Sequence, residues 1–332
     1  LSNLLRDRIF LLFFKTQKVV MSLKILMNTY ELLDDIHVDG QAVQNFLQSY
    51  GANNVSVKHI LGENGKETDF VKCIVTGTNG KTNGGTAPTL GIIGRLGGIG
   101  ARPERFGFTS DGDGALCATA IAAKLSAMSK RGDQLPGDII ITTHICPTAP
   151  TRPHEPVPFM RSPISSAQSN QYEIDSHMDA VLSIDTTKGN RIINKRGFAI
   201  SPTVKEGWIL RTSENLLSIM QSTTGELPNV FALTQQDITP YGNGLYHLNS
   251  IMQPSVATDK PCVGIAVTTH TQVAGCATGA THLTDLDEVL RFCIEVAKEF
   301  TTGHCSFYDE KEFECMVAKY GSLSHFQSMG KL

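Results

Sequence analysis

Apolar residues along the chain fall into short unbroken runs separated by longer stretches of helical spacing, the alternation that builds α/β proteins. Residues 22 to 36 and 39 to 50 repeat their apolar positions at helical intervals and predict two helices. NVSVKHIL and DFVKCIVTG then read as strands joined by the hairpin-like GENGKE, and LGIIGRL reads as another strand. GALCATAIAAKLSAMSKRG, SENLLSIMQSTTG and DLDEVLRFCIEVAKEF predict helices, the last with acids in its first turn, where they complement the helix dipole. FAISPTVKEGWILR reads as strand and turn.

Five runs rich in Ile, Val, Phe or Thr stop on or near an acid or a histidine. FGFTSD ends at Asp111, DIIITTH at His144, AVLSID at Asp185, NVFALTQQD at Asp237 and CVGIAVTTH at His270. Near-continuous apolar runs suit strands covered on both faces, and open α/β sheets bind ligands beyond the carboxyl ends of their strands. Repeated polar strand ends therefore predict one shared pocket. The competing explanation is ordinary: Asp111 and Asp113 are well placed to cap the helix starting at Gly114, and a lone His144 suits a hydrogen-bonded interior.

Residues 147 to 176 hold PTAPTRPHEPVPFMRSPI, whose prolines exclude helix and central strand and predict a long lid or binding loop carrying His154 and Glu155. Residues 1 to 20 differ in texture from the rest of the chain. They read as an extension without function ahead of Met21, leaving 21 to 332 as a single α/β domain.

With 41% hydrophobic and 18% charged residues the composition is that of an ordinary globular protein. A net charge of −3 and no dense basic patch argue against nucleic acid, and the apolar core of the first 20 residues is too short to span a membrane. The expected partner is a small molecule or a peptide, and the composition is compatible with a homo-oligomer. Eight cysteines without a CxxC pair predict reduced, mostly buried thiols and a cytoplasmic location. Cys146, beside His144, stands out among them as a candidate thiolate.

The run CIVTGTNGKT resembles the nucleotide loop of Mur ligases and folylpolyglutamate synthases. That resemblance implies phosphate contacts at Gly80, Lys81 and Thr82 and an ATP-dependent ligase. The segment after it holds glycines and a proline where those loops open a helix.

The order of parts ELLDDIHVDGQAVQNFLQSYGANNVSV, SDGDGALCATAIAAKL, GDIIITTH, SIDTT and CVGIAVTTH resembles the co-catalytic metallo-aminopeptidases of the glutamyl and tetrahedral aminopeptidase type. This implies a three-layer fold, a mostly parallel sheet with helices on both faces. It also implies a divalent metal such as Zn²⁺ and a hydrolase for a small amide or peptide. Asp111 or Asp113 would match the bridging carboxylate and Asp185 a later ligand. With His144, Asp237 and His270 these make the candidate metal set, and His144, His154 and Glu155 are the candidate catalytic groups. Where that family has its Glu pair, this chain has His144 and Ile145, so a non-catalytic ligand-binding protein on the same scaffold is the alternative.

The runs PTLGIIGRLGGIGARPERFGF, ITTHICPTAPTRPHEPVPFM and ITPYGNGLYHLNSIMQPS are long and specific. By them the chain is identified as a member of an uncharacterised family, number 1177 of the domains of unknown function, which implies no activity.

Overall fold

The computed structural model describes residues 21–62, 65–95, 107–149, 151–152, 159–160, 162–272 and 281–328. Helices α1 (Ser22–Leu33) and α2 (Gly40–Ser49) lead into strands β1 (Val55–Leu61), β2 (Glu67–Val75) and β3 (Leu90–Gly94). Helix α3 (Asp113–Lys130), strand β4 (Ile139–Ile145) and the two-residue strands β5 (Thr151–Arg152) and β6 (Phe159–Met160) come next. Then come α4 (Ser166–Glu173), β7 (Ala180–Thr186), β8 (Gly197–Ile200), β9 (Val204–Lys205), β10 (Trp208–Ile209) and α5 (Glu214–Thr224). Strand β11 (Cys262–Thr268) and helices α6 (Leu283–Thr301) and α7 (Glu310–Tyr320) complete the series.

One sheet runs in the order β1-β2-β4-β3-β7-β11-β9-β10, with β8 also paired to β11. Its centre, β4-β3-β7-β11, is parallel, and its flanks are antiparallel. The sheet is thus mixed rather than mostly parallel: β1 and β2 add antiparallel on one side of the parallel centre, and β8, β9 and β10 on the other.

The two faces are covered differently. Alternation sends Ile92, Ile139, Ile141, Leu182, Ile184, Val263 and Ile265 to a face packed under the helices. The opposite face carries Ile93, Ile140, Val181 and Ala266 against Ile238, Ile251 and Met252, which lie in the 3₁₀ turns Gln235–Ile238 and Ser250–Ala257. Helix α4 also packs on this side, against β2, β4 and the turn Ser250–Ala257. The expectation of helices on both faces is met on one; on the other, one short helix and two 3₁₀ segments do the covering.

Two of the five predicted strand ends dissolve. Residues 107–109 are irregular and Ser110–Gly112 is a 3₁₀ turn, while Val230 forms only an isolated bridge to Ile200 before the turn Gln235–Ile238. Helix α4 lies inside the segment expected to be loop, beginning three residues after Pro163, where the prolines no longer restrict the chain. Of the described cysteines only Cys315 is exposed. Cys146 is buried, donates to the Glu67 carbonyl at 3.3 Å, and burial pushes its thiol up to about 12, the opposite of an activated thiolate. No helix among the described residues is long and apolar enough to cross a membrane.

Helix α3 sits directly on β3 because glycine faces glycine there. A Cβ on Gly94 would press into the Gly114 carbonyl and lie 2.6 Å from Ala118 Cβ. Gly94→Ala is therefore expected to destabilise the fold by about 3 kcal/mol, the upper range for overpacking, as read from denaturant unfolding. An unchanged midpoint would contradict this contact.

Candidate functional site

Register builds the site. Gly94 on β3 pairs with Thr143 on β4 and with Ile184 on β7, so the next residues on the three strands, Arg95, His144 and Asp185, stand level with one another. Alternation sends all three to the face that carries Ile93, Ile140 and Val181. They stand at carboxyl ends of parallel strands, where β3 leads leftward through α3 to β4 and β7 leads rightward to β11. Such a reversal of direction opens the crevice in which α/β sheets hold ligands.

Each of these side chains is buried: Arg95 is 5% exposed, His144 3% and Asp185 1%. Arg95 Nη1 donates to Glu173 Oε2 from α4, a fully desolvated ion pair. Although burial alone would lower it, Glu173 and Asp185 hold the Arg95 guanidinium firmly protonated. Asp185 Oδ1 accepts the Thr186 amide at 2.7 Å, and Oδ2 accepts the Ser250 hydroxyl at 2.8 Å. Burial nevertheless outweighs these donors and Arg95, pushing the Asp185 carboxyl up to about 6. Burial and then the nearby Arg95 charge push His144 down to about 3, so its ring is neutral. The ring lies edge-on to Phe70 at 5.1 Å.

Several polar atoms here have no partner. Arg95 Nε, His144 Nδ1 and both Asn170 amide atoms are buried without a hydrogen bond. Each such atom costs about 1–3 kcal/mol in an apolar interior, so four of them on these three residues call for a physical reason. Asn170 and Glu173 share the buried face of α4. Thr142 Oγ1 fixes that helix by donating to the Glu173 carbonyl at 2.8 Å.

A second buried ion pair ties the start of α3 to the segment just after β7. Lys188 Nζ sits 3.0 Å from Asp113 Oδ2, and Thr281 Oγ1 donates to Asp113 Oδ1 at 2.8 Å. Lys188 adopts a left-handed backbone, φ 55°, unusual for a non-glycine residue. Burial raises the Asp113 carboxyl against the downward pull of Lys188. Asp111 is buried in the neighbouring turn, whose Ser110 carbonyl accepts Thr186 Oγ1 at 2.6 Å.

The other expected site residues lie elsewhere. Asp237 accepts the Leu248 and Asn249 amides at 2.7 and 2.9 Å, and the Thr234 amide and hydroxyl both at 2.9 Å. It is a clamp that holds the chain so that Ser250 reaches Asp185. His270 is exposed beyond β11. His154 and Glu155 lie outside the described residues.

The metal expectation meets a donor set that does not fit. Asp113 is committed to an ammonium and a hydroxyl, Asp237 to four donors, and His270 faces solvent. Among the described residues no group of three or more His, Cys, Asp or Glu could hold a metal ion.

The loop of Gly80, Lys81 and Thr82 is at the amino ends of β3 and β4, away from this site. Its donors cradle a carboxylate of the same chain: Asp138 accepts the Gly77 amide at 2.9 Å and the Thr82 amide and hydroxyl at 2.8 and 2.9 Å. Lys81 bonds Asp179 at 2.8 Å. Where a phosphate would sit in a ligase, this loop holds Asp138, a correction to the ligase expectation.

Arg95, Asn170, Glu173, Ser250 and Lys188 do not stand out in the sequence. For Arg95 a signal is present, since it directly succeeds the five-residue buried run LGIIG at the same strand-end position as His144 and Asp185.

Fold and site together define an α/β protein with a buried polar cluster at its strand ends. Residues 59–330 match the family described as "Protein of unknown function (DUF1177)", and the chain belongs to that family. No curated protein matches it. Among solved structures it is similar to the Porphyromonas gingivalis glutaminyl cyclase at 9% identity and a TM-score of 0.47, over 84% of this chain and 96% of that one. A likeness of that size says nothing about chemistry.

Proposed function

We propose that the chain binds a small polar molecule at the Arg95, His144 and Asp185 cluster and acts on it as a hydrolase of a small amide or peptide. The observation that carries this reading is the set of buried, unpartnered polar atoms on Arg95, on His144 and on Asn170, which shares the buried helix face of the Glu173 that pairs with Arg95. A substrate would supply the missing partners.

Asp185, ionised above about pH 6, would take a proton from water as the hydroxide adds to the substrate carbonyl. The Arg95 Nε–H would face the oxygen on which charge develops, and the proton on Asp185 would pass to the leaving nitrogen. An acid that ionises near the working pH suits both halves of that exchange.

The specific observation favouring the binding-only alternative is the commitment of the Arg95 guanidinium to Glu173. A screen of small amides and dipeptides with the wild type and Asp185→Asn separates the two. Turnover that falls at least a hundredfold in the variant is expected. Ligand-induced stabilisation without turnover by the wild type would favour binding alone, and neither effect with any compound would overturn both readings.

A further inference from the structure

Helix α4 is unusual in what it buries. A surface helix is ordinarily held by an apolar stripe, yet the buried residues of α4 are Ser169, Asn170 and Glu173. It is secured instead by polar ties: the Arg95 pair, the Thr142 bond, a capping box between Ser165 and Gln168, and Lys72 on Asp175 at 2.8 Å just beyond its end. Its one large ring, Tyr172, lies at the margin against Phe70, 4.8 Å between centroids. Such a face gains little from hydrophobic burial and needs another reason to point inward.

Asn170 supplies one. Its side chain is fully buried, and both Nδ2 and Oδ1 lack partners, so the conclusion holds whichever way the amide is turned. An amide offers one donor group beside one acceptor, and its complement is a group with an acceptor beside a donor. A primary carboxamide has that pattern, whereas a trans peptide unit turns its N–H and C=O to opposite sides. A carboxylate has acceptors only and would set its oxygens against Asn170 Oδ1 in a site where Glu173 already balances Arg95 and Asp185 adds a further negative charge. A protonated amine has donors only and would leave Nδ2 unpaired.

We infer that α4 is the recognition element of this site and that Asn170 selects an uncharged carboxamide over the carboxylate or amine of the same size. The inference rests on the strand-end site being a ligand site. It makes Asn170 a specificity-determining residue and leaves proton transfer to Asp185.

The test is a ligand-observed NMR titration of the whole chain with propionamide, propionate and propylamine. Propionamide is expected to bind at least tenfold more tightly than the other two. Asn170→Leu should erase that preference, exposed Gln171→Ala should keep it, and Asp185→Asn and His144→Phe should alter binding of the probes as a group. If Asn170→Leu does not fold, the near-isosteric Asn170→Asp carries the same test, with loss of propionamide preference expected. Propionate bound as tightly as propionamide, or a preference that survives at Asn170, overturns the inference while the site stands, provided that binding still responds to His144 and Asp185. Probes that do not bind, or bind without response to those two residues, overturn the inference together with the site.

Discussion

Asp185→Asn is expected to be more stable than the wild type at pH 7, by about 3 kcal/mol, while losing turnover. The carboxyl has an ordinary value of 3.8 and is pushed to about 6 in the folded chain, a shift worth about 1.4 kcal/mol per unit. A raised carboxyl means that between about pH 4 and 6 the folded state holds a proton the unfolded state has released. Stability from this group therefore falls as pH rises through that window, and above it the folded protein keeps a buried, ionised acid at full cost. Asparagine removes the charge without removing the partners. Its oxygen still accepts the Thr186 amide, and its nitrogen can donate to the Ser250 hydroxyl once that hydroxyl turns. A functional residue retained against stability is the pattern of an active site. Denaturant unfolding at pH 7 measures it, and a variant less stable than the wild type would mean that the Asp185 charge stabilises the fold.

His144→Phe has the second large effect, at the acid end. The imidazole, ordinarily at 6.5, is held down to about 3, so below about pH 6.5 the unfolded chain takes up a proton that the folded chain refuses. Stability from this group falls as pH drops from 6.5 towards 3, by about 5 kcal/mol across the full window. Between pH 4 and 6 the two groups oppose each other, Asp185 favouring the acid side and His144 the neutral side. Their slopes largely cancel in the wild type. Removing either exposes the other: Asp185→Asn should become steeply acid-sensitive, whereas His144→Phe should gain stability from pH 6 down to 4. Phenylalanine keeps a ring against Phe70, so loss of packing does not dominate. Unfolding curves at pH 4, 5 and 6 decide the matter, and two variants that both track the wild type would show that neither group is buried in its stated form.

How much of this is legible in the sequence depends on where the polar residues lie. Strands β3, β4, β7 and β11 are legible because both of their faces are covered and their apolar runs are continuous. His144 and Asp185 are legible as the polar residues that end such runs. Asp237 has the same appearance in sequence, yet it serves as a local clamp. A carboxylate that accepts nearby amides and one that faces a ligand carry the same letter. NVFAL fails as a strand because only Phe231 is deeply buried while Val230 is exposed, leaving little apolar surface to pin a register. Helix α4 is hidden twice, by the prolines before it and by a buried face of Ser, Asn and Glu that has no apolar period. The pairing of Arg95 with Glu173 joins residues 78 apart in the chain, a contact that strand order alone creates.

Arg95, Asn170, His144 and Asp185 line one ligand site in this proposal. Its most direct test is a ¹⁵N–¹H titration with propionamide that tracks the Arg95 Nε–H and the Asn170 side-chain amide. Both signals should move together along one binding curve. Binding that leaves both in place and shifts residues elsewhere, such as Asp179 and Phe307 beyond the amino ends of the strands, would contradict the account.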